Sequence, residues 1–483
     1  MPVDPSRPLL VDAPKECLMT DRRMRLFAFD FQGPAHLSSG LWRHPADRAS
    51  SYKNLRYWVD YAKLLEDACF DGIFFADNHG YHDVYEGSAA AALADAAQIP
   101  ANDPFPVVSA MAAVTDNLCF GLTGSTAYEH PYALARKFAT LDLLTEGRMG
   151  WNVVTSYADS AARNLGTGAQ LLREERYERA AEYLEVCYKL WEQSWEDDAV
   201  VIDKESGVYV DPSRVHDIKH HGKHFDVDGF ALTEPSAQRT PVIFQAGGSP
   251  KGRALAAQEA EGVFVNALTI PALKRQVDGL QELAVQFGRQ ADSIKVLQML
   301  NVVCAPTDEE AQAKFEDYRR HISLTGAMAR YSGWAGLDMS QFDPDVPLEN
   351  VQTNVSQNAV DLFSKMDPDR TWTPRDIADY LGIGGTGPTL VGSPQTIAEQ
   401  LITWMDETGV AGFNLAQSVR YQDIADFAEL VVPELQRRGV VWTEYEGPTM
   451  REKLYGPGQV RLREDHHAHT FGHGRAPAAL PAG

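Results

Sequence analysis

Met149-Gly150-Trp151-Asn152-Val153-Val154-Thr155-Ser156 is a short apolar run, rich in β-favouring residues, that ends in hydroxyl side chains. A parallel strand buried on both faces reads this way, with its polar C-terminal end opening onto a site. The pattern recurs at 25–31, 72–77 and 118–125 before it, and at 241–247, 262–268, 295–305 and 412–417 after it. Helical patterns separate the runs, for example at 52–69, 131–145, 176–192, 249–261 and 393–408, and 421–438 closes the series. Eight runs alternating with about eight helices predict parallel strands joined by crossover helices. A doubly wound open sheet and a (β/α)8 barrel both satisfy that pattern. The strand count and near-continuous alternation favour an α/β fold of the (β/α)8 TIM-barrel type. Three long connections interrupt it, near 80–103, 194–240 and 323–388, and loops of this length usually serve as lids or oligomer contacts. The barrel domain is expected over 24–446, after an N-terminal extension at 1–23 and before a peripheral C-terminal tail at 447–483.

Composition excludes several classes. The 483 residues carry 44 basic and 67 acidic side chains, a net charge of −23, and 44% are hydrophobic. That hydrophobic share supports a large core, and the acidic balance argues against sequence-blind nucleic-acid binding, which needs Lys and Arg on phosphates. No apolar stretch reaches the ~18 residues of a membrane span. The first 25 residues include Asp4, Asp12, Lys15, Glu16 and Asp21 and lack the apolar centre of a signal peptide. Cys17, Cys69, Cys119, Cys187 and Cys304 are odd in number and scattered, which suits neither a disulfide framework nor a zinc cage. A cytoplasmic location is expected.

Gly382-Ile383-Gly384-Gly385-Thr386-Gly387 has the dinucleotide-fingerprint spacing, but a helical pattern precedes it and Pro388 follows it. The fingerprint needs a strand before and a helix opening within, so this reads as a flexible loop. His466, His467, His469 and His473 lie in a low-complexity terminus that reads as solvated, and no metal site is expected. The candidate site lies at the C-terminal ends of the runs, where barrels build their sites. Asp77 ends the second run, Thr123 and Ser125 the third, and Asn152, Thr155 and Ser156 the fourth. Gln245-Ala246-Gly247-Gly248-Ser249 ends the fifth and enters a helix with Lys251 and Arg253. There the glycines admit close backbone approach and the helix N-terminus favours an anion. A phosphate site and a plain N-cap turn both fit that element. His36, after the first run, is either a proton shuttle at the barrel mouth or a loop histidine. Tyr177 most simply packs a helix on the barrel.

Read together, seven segments resemble the bacterial-luciferase-like flavin monooxygenases, the group containing nitrilotriacetate, EDTA and dibenzothiophene-sulfone monooxygenases. They are Gly40-Leu41-Trp42-Arg43-His44-Pro45, 133–142, 147–156, Ala161-Ala162-Arg163-Asn164-Leu165-Gly166, 241–249, Val391-Gly392-Ser393-Pro394-Gln395 and 432–439. The likeness runs in order from about residue 24 to about residue 454. It implies a luciferase-like barrel that takes diffusible reduced FMN from a separate NADH:FMN oxidoreductase. Such an enzyme inserts one oxygen atom of O2 into a small organic substrate, with NADH consumed only by the reductase. A homodimer or homotetramer is implied as well.

The family's FMN positions fall on Asp77, Thr123, Tyr177 and Ser249, and Asn152 would line the flavin. Arg173 stands where a histidine is common and could pair with the phosphate. The family's active-site histidine matches His36, whereas a second histidine of the sulfone-oxidising members aligns near Trp334. Gly40–Pro45, Tyr85-Glu86-Gly87-Ser88, Asn102-Asp103-Pro104 and 194–200 look most like the branch that oxidises dimethyl sulfide to methanethiol and formaldehyde. Aminopolycarboxylates and alkanes remain as other substrates. An F420-dependent oxidoreductase and a non-catalytic flavin-binding barrel remain as other classes.

Overall fold

A computed structural model describes residues 23–347, 363 and 371–472. All eight expected runs are strands: β1 Arg25–Phe31, β2 Gly72–Ala76, β3 Cys119–Ser125, β4 Met149–Val154, β5 Val242–Gln245, β6 Gly262–Val265, β7 Lys295–Cys304 and β8 Gly412–Ala416. They pair in parallel, β1 lying between β2 and β8, and β7 pairs with both β8 and β6. That last pairing closes the sheet, so the structure is the luciferase-like (β/α)8 barrel and not the open sheet. The strands read as continuous apolar runs because helices cover their outer faces and side chains fill the inside. β3, for example, is buried along its whole length.

Aromatic rings dominate the barrel interior. Phe74 lies over Phe264 with centroids 4.2 Å apart, Phe264 over Phe244 at 5.2 Å, and Phe27 meets Phe244 edge-on at 6.0 Å. The rings fit because glycines face them from neighbouring strands. A side chain at Gly121 would strike Phe74, and one at Gly150 or Gly262 would strike Phe244.

The C-terminal region corrects the expectation of a peripheral tail. Helix Met450–Tyr455 plugs the end of the barrel where the strands begin, and Met450 and Leu454 join the phenylalanine cluster. Arg451 is 0% exposed and forms a bidentate pair with Glu261 at 2.6 and 3.0 Å. Its remaining donors reach the carbonyls of Thr240 and Val460. His466 is likewise not solvated: it is buried, and its Nε2 lies 2.7 Å from the Glu259 carbonyl. His473 lies outside the described residues.

The long connections divide by the end of the barrel they serve. Residues 194–240 enter β5 from the strand-start side and form two hairpins, Val200–Asp203 with Val208–Val210 and Ile218–His221 with Asp226–Gly229. Phe225 seats the second hairpin on Tyr183, on the outer helix Arg173–Tyr188, so this insertion is no lid. Residues 80–103 follow β2, and the described part of 323–388 follows helix Asp308–Arg319 beyond β7. Residues 80–103 meet helix Leu324–Ala335, where there is no room for a side chain at Gly326 beside Asp95 or at Gly333 beside His82. Gly382–Gly387 is not a flexible loop but a buried turn that fits against Asn301, Met299 and Leu37 and leads into a short strand, Thr389–Gly392. No described helix is long and apolar enough to cross a membrane.

Removing one partner of a buried pair strands the other charge. Arg451→Met should therefore lower unfolding free energy by ~3–5 kcal/mol, seen as a fall in the urea midpoint. Adding Glu261→Leu should recover part of that loss. A single variant with the wild-type midpoint would show that the plug contributes nothing to stability.

Candidate active site

The strand ends meet in a ring of polar groups. At β3 and β4 the Thr123 hydroxyl donates to the Phe75 carbonyl at 2.8 Å and accepts from Asn152 Nδ2 at 3.1 Å. Cross-strand register sets this chain, since Thr123 and Asn152 sit directly opposite each other. Asn152 Oδ1 is left buried without a partner, as is Gln32 Oε1 after β1. Buried polar atoms are almost always paired, so these two acceptors mark a place where a ligand N–H fits. Asp77, at the end of β2, receives the Asn78 N–H at 2.9 Å, and burial holds its carboxyl above the usual range.

A second cluster follows β4 and β5. Ser249 caps helix Pro250–Glu259, taking the Gly252 N–H on its Oγ at 3.1 Å, and Tyr177 Oη lies 3.2 Å from the same oxygen. Gly252 packs so closely on Gly247 and Tyr177 that a side chain there would collide with both. Arg176, one position before Tyr177, gives an Nη1 bond to the Ser156 carbonyl, while its buried Nε has no partner. Burial, with Arg173 beside it, presses the Arg176 guanidinium below its usual range. Ser156 holds φ at +54°, a strained backbone for a non-glycine residue, and its hydroxyl is 2.8 Å from Ser125 Oγ. A helix N-terminus, a hydroxyl pair and the under-satisfied Arg176 together suit a phosphate.

His36 occupies a dry slot. It is 6% exposed, edge-on to Phe29 at 4.5 Å and stacked on Phe31 at 5.6 Å. Burial, reinforced by the Arg420 and Arg330 guanidinium charges, holds its imidazole well below the usual range. It is therefore neutral at pH 7, and among the described residues no protein group hydrogen-bonds it. The loop carrying it is fixed by Arg420, which follows β8. Arg420 pairs with Asp30 inside β1 and donates to the carbonyls of Phe31 and Gly33, while Gln417 holds the other Asp30 oxygen at 3.1 Å.

The expected residues thus fall into three adjoining groups. Asp77, Thr123 and Asn152 lie on neighbouring strand ends; Tyr177 and Ser249 meet at the helix N-terminus, with Arg173 one turn before Tyr177 on its helix; His36 stands on the β1 loop without a bond to either group. Sequence reading missed Arg176, Asp30, Arg420 and Arg330. Asp30 had a signal, being the one acid in an apolar strand, and Arg420 follows a barrel strand directly. Among the described residues the tail histidines form no group of ligand atoms. Ligand-type atoms gather instead at His44, Asp317 and His321, but there His44 Nε2 is already hydrogen-bonded to Asp317 at 2.9 Å.

Comparison with known proteins agrees with this geometry. Residues 26–412 match the luciferase-like monooxygenase family. The chain is 46% identical to dimethyl-sulfide monooxygenase from Hyphomicrobium sulfonivorans over 93% of this chain and 94% of that one. It is 44% identical to long-chain alkane monooxygenase from Geobacillus thermodenitrificans, over 93% and 98%. The crystal structure of a riboflavin lyase with modified FMN and riboflavin superposes with a TM-score of 0.87 at 36% identity, covering 93% of this chain and 99% of that one. The protein belongs to the luciferase-like monooxygenase family and is a flavin-dependent monooxygenase.

Proposed function

We propose that this chain is the oxygenase of a two-component system. It would take reduced FMN from a separate NADH:FMN oxidoreductase and insert one oxygen atom of O2 into a small organosulfur compound, dimethyl sulfide or a relative. The observation that carries the FMN reading is the cradle of Ser249, Tyr177 and Gly252 beside the unpartnered Arg176 Nε. That Nε is a donor with no acceptor present, on the same rim as the orphaned Asn152 Oδ1.

In this reading the helix N-terminus, Ser249 and Tyr177 hold the phosphate, and Arg173 and Arg176 balance its charge. Thr123 fixes the Asn152 amide so that Oδ1 accepts an N–H of the flavin ring, and Asp77 lines the adjoining strand end. Bound reduced FMN supplies the electrons that activate O2. The phenylalanines around His36 exclude water, and its neutral imidazole holds or delivers one proton on the substrate side. Nothing described forms a dinucleotide fold, which supports a separate reductase.

The direct test is oxygen uptake with FMN, NADH and a flavin reductase against dimethyl sulfide, dibenzothiophene sulfone, nitrilotriacetate, EDTA and medium-chain alkanes. Turnover should need the reductase and follow an organosulfur member of the panel. Steady NADH oxidation by the purified chain alone would exclude the two-component reading, and turnover with an alkane or a chelate alone would replace the substrate.

Ser249→Asp places a carboxylate against the phosphate. FMN affinity should fall by about 2 kcal/mol or more, and riboflavin, which lacks the phosphate, should lose much less. Equal losses in fluorescence titrations would remove Ser249 from phosphate binding. His36→Ala should leave FMN affinity within about threefold and cut product formation on the order of 10²-fold, the scale of a lost acid–base group. Oxygen uptake should continue and yield hydrogen peroxide, so the product-to-peroxide ratio at fixed FMN supply is the measurement. Wild-type coupling would reduce His36 to a loop residue.

A further inference from the structure

Among the described residues six arginines are buried, and five of them are held by several carbonyls or by a carboxylate. Arg148 reaches three carbonyls and a hydroxyl; Arg239, Arg420 and Arg451 each pair with a carboxylate and at least one carbonyl; Arg289 bridges carbonyls at the end of helix Pro250–Glu259. Arg330 differs. It is 7% exposed and makes a single bond, a long one from Nη2 to the Leu381 carbonyl at 3.3 Å; its buried Nε has no partner, a feature it shares with Arg289 and Arg420. No carboxylate pairs with it among the described residues. Asp83, beside His82, is taken by Arg163. A buried guanidinium with donors to spare and no counter-charge is costly unless something supplies the missing acceptor.

Its position shows where that acceptor belongs. Arg330 lies on helix Leu324–Ala335, and one turn along the helix Gly333 packs against the His82 ring. Its charge reaches His36, His82 and Tyr157, and burial keeps all three neutral at pH 7, pressing His82 down to about 4 and the Tyr157 hydroxyl up. Nothing among them offsets a cation. The phosphate cradle has its own arginines, so the anion at Arg330 is a different group, on the His36 side. We propose that Arg330 anchors a carboxylate of the organic substrate, so that the site beside His36 takes organosulfur acids in preference to neutral sulfides such as dimethyl sulfide. This rests on the oxygenase reading above and narrows its substrate class.

The test uses FMN-loaded full-length protein and two probes of equal size, 3-(methylsulfanyl)propanoate and 3-(methylsulfanyl)propanamide. Binding is read from the perturbed flavin absorbance, and turnover is read separately with a reductase. Wild type should bind the carboxylate at least about tenfold more tightly than the amide, the scale of a charge-assisted bidentate contact. R330Q should bring that ratio near one with FMN affinity unchanged within about twofold, and R330K should keep part of it. Equal binding of both probes by wild type would overturn the proposal. So would an R330Q protein that keeps the ratio but loses FMN affinity, because the guanidinium would then serve the flavin. Should R330Q not fold, the wild-type ratio and R330K decide. A clear carboxylate preference in binding with no reductase-dependent turnover would sink the oxygenase reading and leave the recognition intact.

Discussion

The hydrogen-bonded closure of the parallel sheet by β7 sets everything at the functional end. Its first half pairs with β6 and β8 at once, and its second half continues upward to hold Thr389–Gly392. In an open version of this strand order β6 and β7 would be opposite edges. Ser249, just beyond β5, and Arg420, just beyond β8, would then stand far apart. Closure brings both onto one rim and points every strand's C-terminal end the same way, so a single small mouth collects side chains from all eight strands. The glycines facing Phe74 and Phe244 serve the same end, because a barrel this narrow admits aromatic filling only where the opposing residue has no side chain.

The rim then sorts its charges into those cancelled within the protein and those left open. Asp30 and Arg420 cancel, with Gln417 and two carbonyls completing the set, and their work is to hold the His36 loop. Arg176 and Arg330 remain open, since no carboxylate among the described residues pairs with either and each keeps an unpartnered Nε. In a low-dielectric mouth the distinction is large, since an unpaired charge there is a standing demand for an acceptor, whereas a completed pair is inert scaffolding. His36, kept neutral by burial, adds no charge to that balance.

The barrel was legible because its strands advertise themselves: residues buried on both faces must be apolar, and all eight runs appeared with their polar ends at the mouth. Thr123, Asn152 and Ser249 stood out as candidates for the same reason, since they lie toward strand ends or open the helix that follows, whereas Tyr177, inside its helix, was singled out only by the family resemblance. The plug was not legible. Helix Met450–Tyr455 is six residues long and adds only Met450 and Leu454 to the inner cluster, too little for a periodic signal, and Arg451 reads as surface until Glu261 appears beside it. Gly382–Gly387 misled in the opposite sense. Glycines there mean tight packing against Asn301 and Leu37, a property of distant segments that local spacing does not carry. Arg330 was hidden likewise, as an arginine on a helix normally faces water.

A net charge of −23 and the phosphate site proposed at Ser249 are compatible for a reason that also bears on how flavin would arrive. Surface carboxylates act through solvent, where the Debye length is about 8 Å at physiological salt, so their field fades over a few residues. The helix N-terminus at Ser249 and the guanidinium of Arg176 act at contact distance and half-buried, where screening is weak. Affinity is thus set locally and encounter is set globally. An anionic flavin diffusing in from bulk meets repulsion first and attraction only at the mouth, which favours slow capture followed by firm retention. Raising the salt concentration weakens the repulsion more than the contact, so the association rate should rise with ionic strength, opposite to the usual trend for a phosphate bound by arginines on an exposed basic surface.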